Sequence, residues 1–263
     1  MSNGMLTETE DRVAVEDPLE IQLLYSTATG RMQKNIAVTM RTPGNDRELA
    51  AGFLFTEGII ESNHSIKDIR SFSTDENRLL VSLHENIKPM LHHAERNFYS
   101  TSSCGVCGKA SIDAIRLSSA YLQEKDTICI KAPVLYGLLE SLKKEQVVFE
   151  HTGGIHASAL FTVDGDFIML REDVGRHNAL DKIIGAALLN EQLPLNNCIL
   201  LLSGRASFEL LQKASMAGIK VVAAVGAPSS LAVEMAKEAD ITLAGFLKSD
   251  KFNLYSGSKR ITT

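Results

Sequence analysis

The sequence lacks any apolar run of the roughly 20 residues that a membrane-spanning helix needs, so we expect no membrane partner. Its opening is polar and acidic and carries no signal-peptide pattern. The 263 residues include only four cysteines, without the dense spacing of a small disulfide-bonded domain. Together these absences predict a cytoplasmic protein in a reducing compartment.

An excess of basic residues is also missing. The net charge is −5, and the first 20 residues account for all of it. The remainder holds 26 acidic and 26 basic residues, whereas proteins that bind nucleic acid in bulk are normally basic. We therefore expect no nucleic-acid partner, and we interpret residues 1–18 as a disordered acidic tail.

Neither a Walker loop nor a G-x-G-x-x-G segment occurs, so nothing supports ordinary nucleotide hydrolysis or hydride transfer. What the chain does contain is one C-x-x-C pair, Cys104 and Cys107, in the glycine- and serine-rich segment Ser102–Lys109. Such a segment is expected to be exposed and mobile. The adjacent Lys109 and a following helix favour the thiolate, which is both the nucleophile and the metal ligand.

Residues 19–100 predict a mostly antiparallel α+β lobe. Alternating apolar residues indicate a hairpin over residues 19–41 and two more strands over residues 67–86. Between them, Asp46 is placed to cap a helix that runs to Ile60.

Residues 101–263 predict a second unit, an α/β domain. Asp164-Gly165 between two alternating runs predicts a hairpin, Val147–Phe149 is interpreted as the start of a strand, and Asn178 is predicted to cap a helix. Three continuous apolar strands then alternate with helices, which predicts a parallel sheet covered on both faces. These strands are Cys198–Leu202, residues 219–225 and residues 241–246.

Ligands of such sheets bind beyond the carboxyl ends of the strands. Two polar loops there, Ser203-Gly204-Arg205 and Pro228-Ser229-Ser230, precede helices and are expected to offer free backbone N–H groups to an anion such as phosphate. Arg205 can add a bidentate contact. Either these loops bind a phosphorylated ligand, a nucleotide being the expected class, or they only turn the chain.

The third strand leads into Phe246–Lys251, which offers an aromatic side chain and two lysines at the same edge, and Lys259 and Arg260 add positive charge. His156 and His177 lie in loops, where each could orient a ligand, transfer a proton or simply donate a structural hydrogen bond. The remaining cysteines, Cys129 and Cys198, are expected to be small core residues.

The cysteine pair is compatible with three chemistries. A zinc deaminase uses H-x-E followed by P-C-x-x-C; His93-Ala94-Glu95 precedes the pair, but Ser103 replaces the proline. A thioredoxin-type site lies at a strand-to-helix junction, and no early βαβ unit is evident here. A persulfide carrier needs a thiolate on a mobile segment and gains from a second thiol that releases the sulfur.

Five ordered segments carry a family resemblance. They are Leu49–Ile60, Ser102–Gly108, Thr152–His156, Glu172–Lys182 and Ser203–Arg205. Through them, residues 20–257 resemble the formate dehydrogenase accessory sulfurtransferase family (FdhD/NarQ). The resemblance implies a cytidine-deaminase-like fold without deaminase chemistry, and a cytoplasmic homodimer.

The resemblance also implies a function. Such a protein takes persulfide sulfur from a cysteine desulfurase and passes it to the molybdenum (or tungsten) bis-guanine-dinucleotide cofactor, bound as a substrate, which formate dehydrogenase requires. Cys104 and Cys107 are then the sulfur-handling pair, and no resident metal is expected. The cofactor-binding candidates are Phe246, Leu247, Lys248, Ser249, Asp250, Lys251, Ser203, Gly204, Arg205, Ser229 and His177. A cofactor-binding chaperone with incidental cysteines and a zinc-dependent deaminase-like enzyme are the alternatives.

Overall fold

The structure, a computed structural model, describes residues 8, 10–72, 75–91, 121 and 126–263. Within that part of the chain, a four-stranded sheet and a six-stranded sheet pack against a shared layer of helices. No helix among the described residues is long and apolar enough to cross a membrane.

The N-terminal sheet has the strand order β2-β1-β4-β3. Its strands are β1 (Asp17–Thr27), β2 (Gly30–Arg41), β3 (Ile66–Phe72) and β4 (Asp75–Leu83). The pairs β1–β2 and β3–β4 are antiparallel, as the alternating pattern predicts, whereas β1 and β4 pair in parallel. The α+β character of this lobe is therefore confirmed.

Helix α1 (Asp46–Thr56) covers this sheet, and both of its ends differ from the prediction. Asp46 is the first helical residue and not the cap, because its carboxylate accepts two hydrogen bonds from the Arg41 guanidinium at 3.0 Å. Asn45 occupies the cap position in a left-handed conformation. The helix stops at Thr56, four residues early, since Ile59 and Ile60 turn back so that their N–H groups both donate to Leu54 O.

The second sheet has the order β11-β10-β9-β8-β6-β7. Its strands are β6 (His156–Thr162), β7 (Phe167–Asp173), β8 (Cys198–Leu202), β9 (Val221–Ala224), β10 (Thr242–Gly245) and β11 (Asn253–Ser256). Strands β8, β9 and β10 are parallel, as predicted, and β6–β7 is the hairpin around Asp164-Gly165. A short parallel pair joins β5 (Ile130–Lys131) to β12 (Ile261–Thr262).

Helices cover both faces of this sheet, as continuous apolar strands require. They are α2 (Ala132–Glu145), α3 (Val147–Thr152), α4 (Arg176–Leu189), α5 (Phe208–Met216) and α6 (Ser230–Glu238). Leu200 and Val222 pack with residues of α4, α5 and α6 in one core, whereas Ile199 and Val221 pack with α2 on the opposite face. The predicted α/β architecture is confirmed.

Helices α1 and α4 join the two sheets through a very close crossing. A Cβ atom on Gly52 would lie 1.9 Å from the carbonyl oxygen of Asp181, and one on Gly185 would lie 1.8 Å from that of Glu48. Only glycine permits such an approach of two helix backbones. One hydrophobic core consequently runs through both sheets.

The prediction of a strand at Val147–Phe149 is wrong, because these residues form the start of α3. The carboxylate of Glu172 accepts hydrogen bonds from the N–H groups of Val148 (3.0 Å) and Phe149 (2.9 Å). These donors have no partner inside a helix, so a side chain on β7 supplies the missing acceptors. Gly153, at a φ of 63°, ends the helix in the left-handed conformation.

The predicted cap at Asn178 is also wrong. Helix α4 begins at Arg176, and Asn178 lies buried inside its first turn. Its amide nitrogen donates to Met40 O (2.8 Å) and to the Asp173 carboxylate (3.1 Å). The side chain therefore joins α4 to β2 and β7 instead of capping its own helix.

Candidate functional site

The loops that follow β8 and β9 run side by side at the carboxyl edge of the sheet. Hydrogen bonds continue the strand pairing into both loops. In these bonds an N–H group of one loop donates to a carbonyl oxygen of the other: Val225 to Leu202 (3.0 Å), Gly226 to Gly204 (2.9 Å), Ala206 to Ala227 (3.2 Å) and Ser229 to Ala206 (3.0 Å). A Cβ atom on Gly226 would lie 2.9 Å from the Arg205 nitrogen, so a glycine is needed for this contact.

Two of the backbone donors that we expected to be free are already used. The N–H group of Ser203 donates to Ala157 O, and that of Ser229 donates to Ala206 O, both at 3.0 Å. The hydroxyl of Ser229 accepts from Ala232 N–H at 3.2 Å and so caps α6. The prediction that these two loops offer free N–H groups is therefore wrong for Ser203 and Ser229.

The segment Phe246–Lys251 follows β10 and forms the third loop of this edge. Phe246 has a φ of 52°, a left-handed conformation that is unusual for a bulky residue. The N–H groups of Phe246 and Leu247 donate to Gly226 O and Ala224 O, both at 3.1 Å. Leu247 is buried, while the rest of Phe246–Lys251 is exposed to solvent.

A groove with a volume of about 1130 Å³ lies between this edge and the helices α2 and α3. Four of the predicted cofactor-binding residues line it: Ser203, Leu247, Lys248 and Ser249. The others do not contact it: Gly204, Arg205, Ser229, Phe246, Asp250, Lys251 and His177. The groove is larger than most small-molecule pockets, which measure roughly 300–1,000 Å³.

His156 lines the groove at the start of β6, next to the loop after β8. A Cβ atom on Gly204 would lie 3.3 Å from its Nδ1, so the glycine lets the backbone approach the ring. Burial lowers the pKa of His156, and the positive charges of Arg176 and Arg205 lower it further. A neutral imidazole at pH 7 can both donate and accept a hydrogen bond.

His177 is held outside the groove by the first turn of α5. Its Nε2 lies 2.8 Å from a carboxylate oxygen of Glu209 and 3.5 Å from the hydroxyl of Ser207. These contacts join the start of α4 to the loop after β8. A role of His177 in cofactor binding stays a prediction.

Much of the segment Glu172–Lys182 is a structural junction. Its buried Asp173 forms an ion pair with Lys182 at 2.7 Å and accepts hydrogen bonds from the N–H groups of Gly175 (2.8 Å) and Thr42 (3.2 Å). Lys182 also donates to Thr42 O at 2.9 Å. The segment therefore fixes the end of β2 against the helix that carries His177.

The positive charge expected from Lys259 and Arg260 is neutralised by acidic neighbours. Arg260 is buried and pairs with Asp126 at 2.6 Å and with Asp240 at 2.7 Å, while Lys259 pairs with Asp240 at 2.7 Å. The Arg260 hydrogen bond holds the pKa of Asp126 below its usual value. These two basic residues anchor the chain around Asp126 and do not line the groove.

The model of the FdhD/NarQ family matches residues 14–262. This chain belongs to the FdhD/NarQ family. The sulfur carrier protein FdhD of Mycolicibacterium paratuberculosis is 46% identical over 268 residues, covering 99% of this chain and 96% of the relative. The proteins of that name from Streptomyces coelicolor (45%; 98% and 92% covered) and Saccharolobus solfataricus (39%; 95% and 91% covered) match similarly.

A crystal structure assigned as a formate dehydrogenase accessory protein from Desulfotalea psychrophila has the same fold. It superimposes with a TM-score of 0.74 at 22% identity and covers 100% of this chain and 96% of its own. At that identity the likeness concerns the fold. The family model and the relatives confirm the membership in the FdhD/NarQ family that five sequence segments predicted.

The cysteine pair of this FdhD/NarQ chain, Cys104 and Cys107, lies outside the described residues, as do His93 and Glu95. Of the two described cysteines, Cys129 is exposed, so its prediction as a core residue is wrong. It precedes β5, whose buried residue is Ile130. Cys198 packs partly buried against the core, and burial raises the pKa of its thiol.

No group of three histidine, cysteine or acidic residues suited to a metal ion occurs among the residues that the structure describes. The zinc alternative depends on residues 93–107 and stays untested.

The far wall of the groove was not anticipated from the sequence. Residues of α2 and α3, and Gln146 between the two helices, form it: Tyr136, Leu139, Glu140, Lys143, Gln146 and Phe149. Two local signals were available. The apolar residues from Val134 to Leu142 have helical spacing, and a glycine after an amphipathic run, as in Gly153-Gly154, is typical of a helix end. The groove thus has a floor that was predicted, formed by the loops at the carboxyl edge of the sheet, and a wall of helices that was not.

Proposed function

We propose that this protein is a sulfur carrier that accepts persulfide sulfur from a cysteine desulfurase and delivers it to a molybdenum or tungsten bis-guanine-dinucleotide cofactor for formate dehydrogenase. The observation that carries the proposal is that relatives named sulfur carriers match 95–99% of the chain. The groove and the C-x-x-C segment are therefore parts of one matched unit. A cytoplasmic location and a homodimer belong to the same proposal.

The groove supports the choice of a large cargo with phosphate groups. Lys248 and Lys143 provide positive charge along it, and Ser203 and Ser249 provide hydroxyl groups. Leu139, with other apolar side chains, forms walls suited to ring systems. A guanine-dinucleotide cofactor combines flat rings with pyrophosphates, so its chemistry matches this lining.

The loading step is a thiol exchange at sulfur. A thiolate of the pair attacks the outer sulfur of the desulfurase persulfide, forms a new sulfur–sulfur bond and releases the desulfurase cysteine as a thiolate. No net oxidation occurs, because one persulfide replaces another. The neighbouring Lys109 favours the thiolate that this step needs.

The delivery step requires two electrons, because the carried sulfur must become sulfide. The second thiolate attacks the inner sulfur of the persulfide, which forms a Cys104–Cys107 disulfide and expels hydrosulfide toward the metal of the cargo. A cellular dithiol then reduces the disulfide and restores both thiols. Two cysteines two residues apart can thus complete the cycle.

The proposal is tested by mass spectrometry after incubation with a cysteine desulfurase and cysteine. We expect the protein to gain the mass of one sulfur atom, and the Cys104→Ala/Cys107→Ala variant to gain none. The matched control is Cys129→Ala/Cys198→Ala, which should still gain sulfur because an exposed thiol away from the groove and a half-buried thiol are not part of the pair.

Sulfur gain by the Cys104→Ala/Cys107→Ala variant would refute the assignment of the pair. If that variant also matured active formate dehydrogenase in cells, the chain would be a cofactor-binding chaperone with incidental cysteines. Stoichiometric zinc lost with Cys104 would instead favour the zinc enzyme.

A further inference from the structure

The groove contains a histidine whose ring has no hydrogen-bond partner. His156 begins β6 and lines the groove beside Ser203. Neither of its ring nitrogens donates to or accepts from another residue in the described ranges, although a half-buried polar side chain usually has such a partner. His177 differs, because Glu209 and Ser207 hold its Nε2 outside the groove. Of these two histidines, His156 is the one whose ring is left for a reaction in the groove.

The backbone around His156 fixes the place of the ring. Ala157 N–H donates to the Ser203 hydroxyl at 2.8 Å, and Ser203 N–H donates to Ala157 O at 3.0 Å. These bonds hold the start of β6 against the loop after β8, where a Cβ atom on Gly204 would lie 3.3 Å from Nδ1. One edge of the ring therefore rests on the backbone, and the side chain stays in the wall of the groove.

The surroundings of His156 favour its neutral form. Burial lowers the pKa of His156 below the ordinary 6.5, and the positive charges of Arg176 and His177 on α4 and of Arg205 on the loop after β8 lower it further. Asp173 on β7 opposes them. At pH 7 the imidazole is thus a base that can take up a proton and pass it on.

The other titratable side chains that line the groove, within the part of the chain that the structure describes, suit this task less well. They are Tyr136, Glu140, Lys143 and Lys248. Phenol and ammonium groups keep their proton near neutral pH, and a carboxylate has already lost it. An imidazole exchanges its proton in this pH range.

We propose that His156 is a catalytic residue of the delivery step and carries the proton that must move when sulfide replaces an oxygen ligand on the metal of the cargo. The inference rests on the proposed function, because a cargo that accepts sulfur supplies the oxygen ligand that leaves.

The exchange converts one hydrosulfide, one metal–oxo group and one proton into one metal–sulfido group and one water. The metal–sulfur bond forms as hydrosulfide loses its proton, and the metal–oxygen bond breaks as the oxygen gains two protons. The metal keeps its oxidation state. Neutral His156 accepts the proton of hydrosulfide at a ring nitrogen and donates it to the departing oxygen, while the second proton comes from solvent.

The test measures single-turnover delivery of ³⁵S from loaded protein to unsulfurated guanine-dinucleotide cofactor. His156→Ala should be about 100-fold slower or more, the size of a lost acid–base catalyst. Added imidazole should restore part of this rate by entering the space that the substitution leaves. His156→Gln fills that space without a basic nitrogen, so it should be equally slow and gain nothing from imidazole.

The pH profile gives a second readout. The wild-type rate should fall as the pH drops through the pKa of His156, because an imidazolium cannot accept a proton. His156→Ala should lack this fall, while the dependence on the attacking thiolate stays in both proteins. The matched control is His151→Ala, since His151 is exposed on α3 and does not line the groove; it should deliver sulfur at the wild-type rate.

Desulfurase loading is measured on the same samples and should be equal in all variants, because that step takes place at the cysteine pair. Delivery at the wild-type rate by His156→Ala, or a loss in this variant that imidazole does not restore, would overturn the role of His156. A wild-type protein that is never loaded, or that is loaded and never transfers its sulfur, would instead remove the proposed function and this inference with it.

Discussion

The crossing of α1 and α4 allows a sharp test of how the two sheets are joined. In Gly52→Ala, the new methyl group would lie 1.9 Å from the backbone oxygen of Asp181. Both atoms belong to buried helices, so no flexible side chain can move aside. The helices would have to separate by about 1.1 Å before this contact reaches 3.0 Å, the practical lower limit for a Cβ atom.

The expected magnitude combines two opposing terms. Alanine is about 1 kcal/mol better than glycine inside a helix, whereas inserting a methyl group into a packed core costs about 1–3 kcal/mol and sometimes more. A clash with rigid backbone belongs at or above the upper end of that range. We therefore predict a net loss of about 2 kcal/mol or more, or about 4–8 °C in melting temperature.

The assay is reversible denaturation in urea, followed by circular dichroism, with Gly137→Ala as the matched control. Gly137 lies inside α2, and a Cβ atom there would meet nothing within 4 Å, so this variant should gain about 1 kcal/mol. Because one core spans both sheets, Gly52→Ala should still unfold in a single transition. A Gly52→Ala variant that is as stable as the wild type, or that unfolds in two separate transitions, would refute this account of the crossing.

Two further predictions concern ionisable groups whose pKa is shifted by burial. Lys213 donates to the Asp181 carboxylate at 2.9 Å in the core, and Lys213→Met should cost about 3–5 kcal/mol at pH 7 because it leaves Asp181 unpaired. Burial raises the pKa of Asp181, so urea titrations of this variant should recover part of the loss between about pH 7 and pH 5; no recovery would contradict the assignment. Burial lowers the pKa of His156, so the stability that this group contributes is present above its unfolded pKa of about 6.5 and is lost as the pH falls. His156→Gln should therefore lose less stability than the wild type between about pH 7 and pH 5, and an equal loss would contradict the shift.

Local patterns were sufficient for much of the fold. The strand Cys198–Leu202 was predicted with the bounds that it has, because a short apolar run between polar residues fits a strand buried on both faces. The hairpin around Asp164-Gly165 likewise depends on its own turn residues. Such elements carry their signal within a few residues.

The wrong secondary-structure predictions occur where residues far away in the sequence determine the local structure. Helix α3 depends on Glu172, which is more than 20 residues away and supplies the acceptors for its first turn. Asn178 has a typical capping side chain, but contacts with Met40 and Asp173 hold it inside α4. Neither arrangement leaves a trace in the local pattern.

The candidate site divides in the same way. Ser203 and Leu247 were predicted because parallel strands bring their carboxyl ends to one edge. Gln146 and Phe149 were not, because their place in the groove depends on how α2 and α3 pack against that edge. Topology predicts the floor of such a site, whereas tertiary packing supplies its wall.

The most direct measurement follows the sulfur itself. The protein is loaded with ³⁵S persulfide by a desulfurase, separated from it, and mixed once with unsulfurated guanine-dinucleotide cofactor under anaerobic conditions. The account predicts that the label moves to the cofactor while Cys104 and Cys107 become a disulfide. Label that stays on the protein, or that leaves as free sulfide at the same rate without the cofactor, would contradict it.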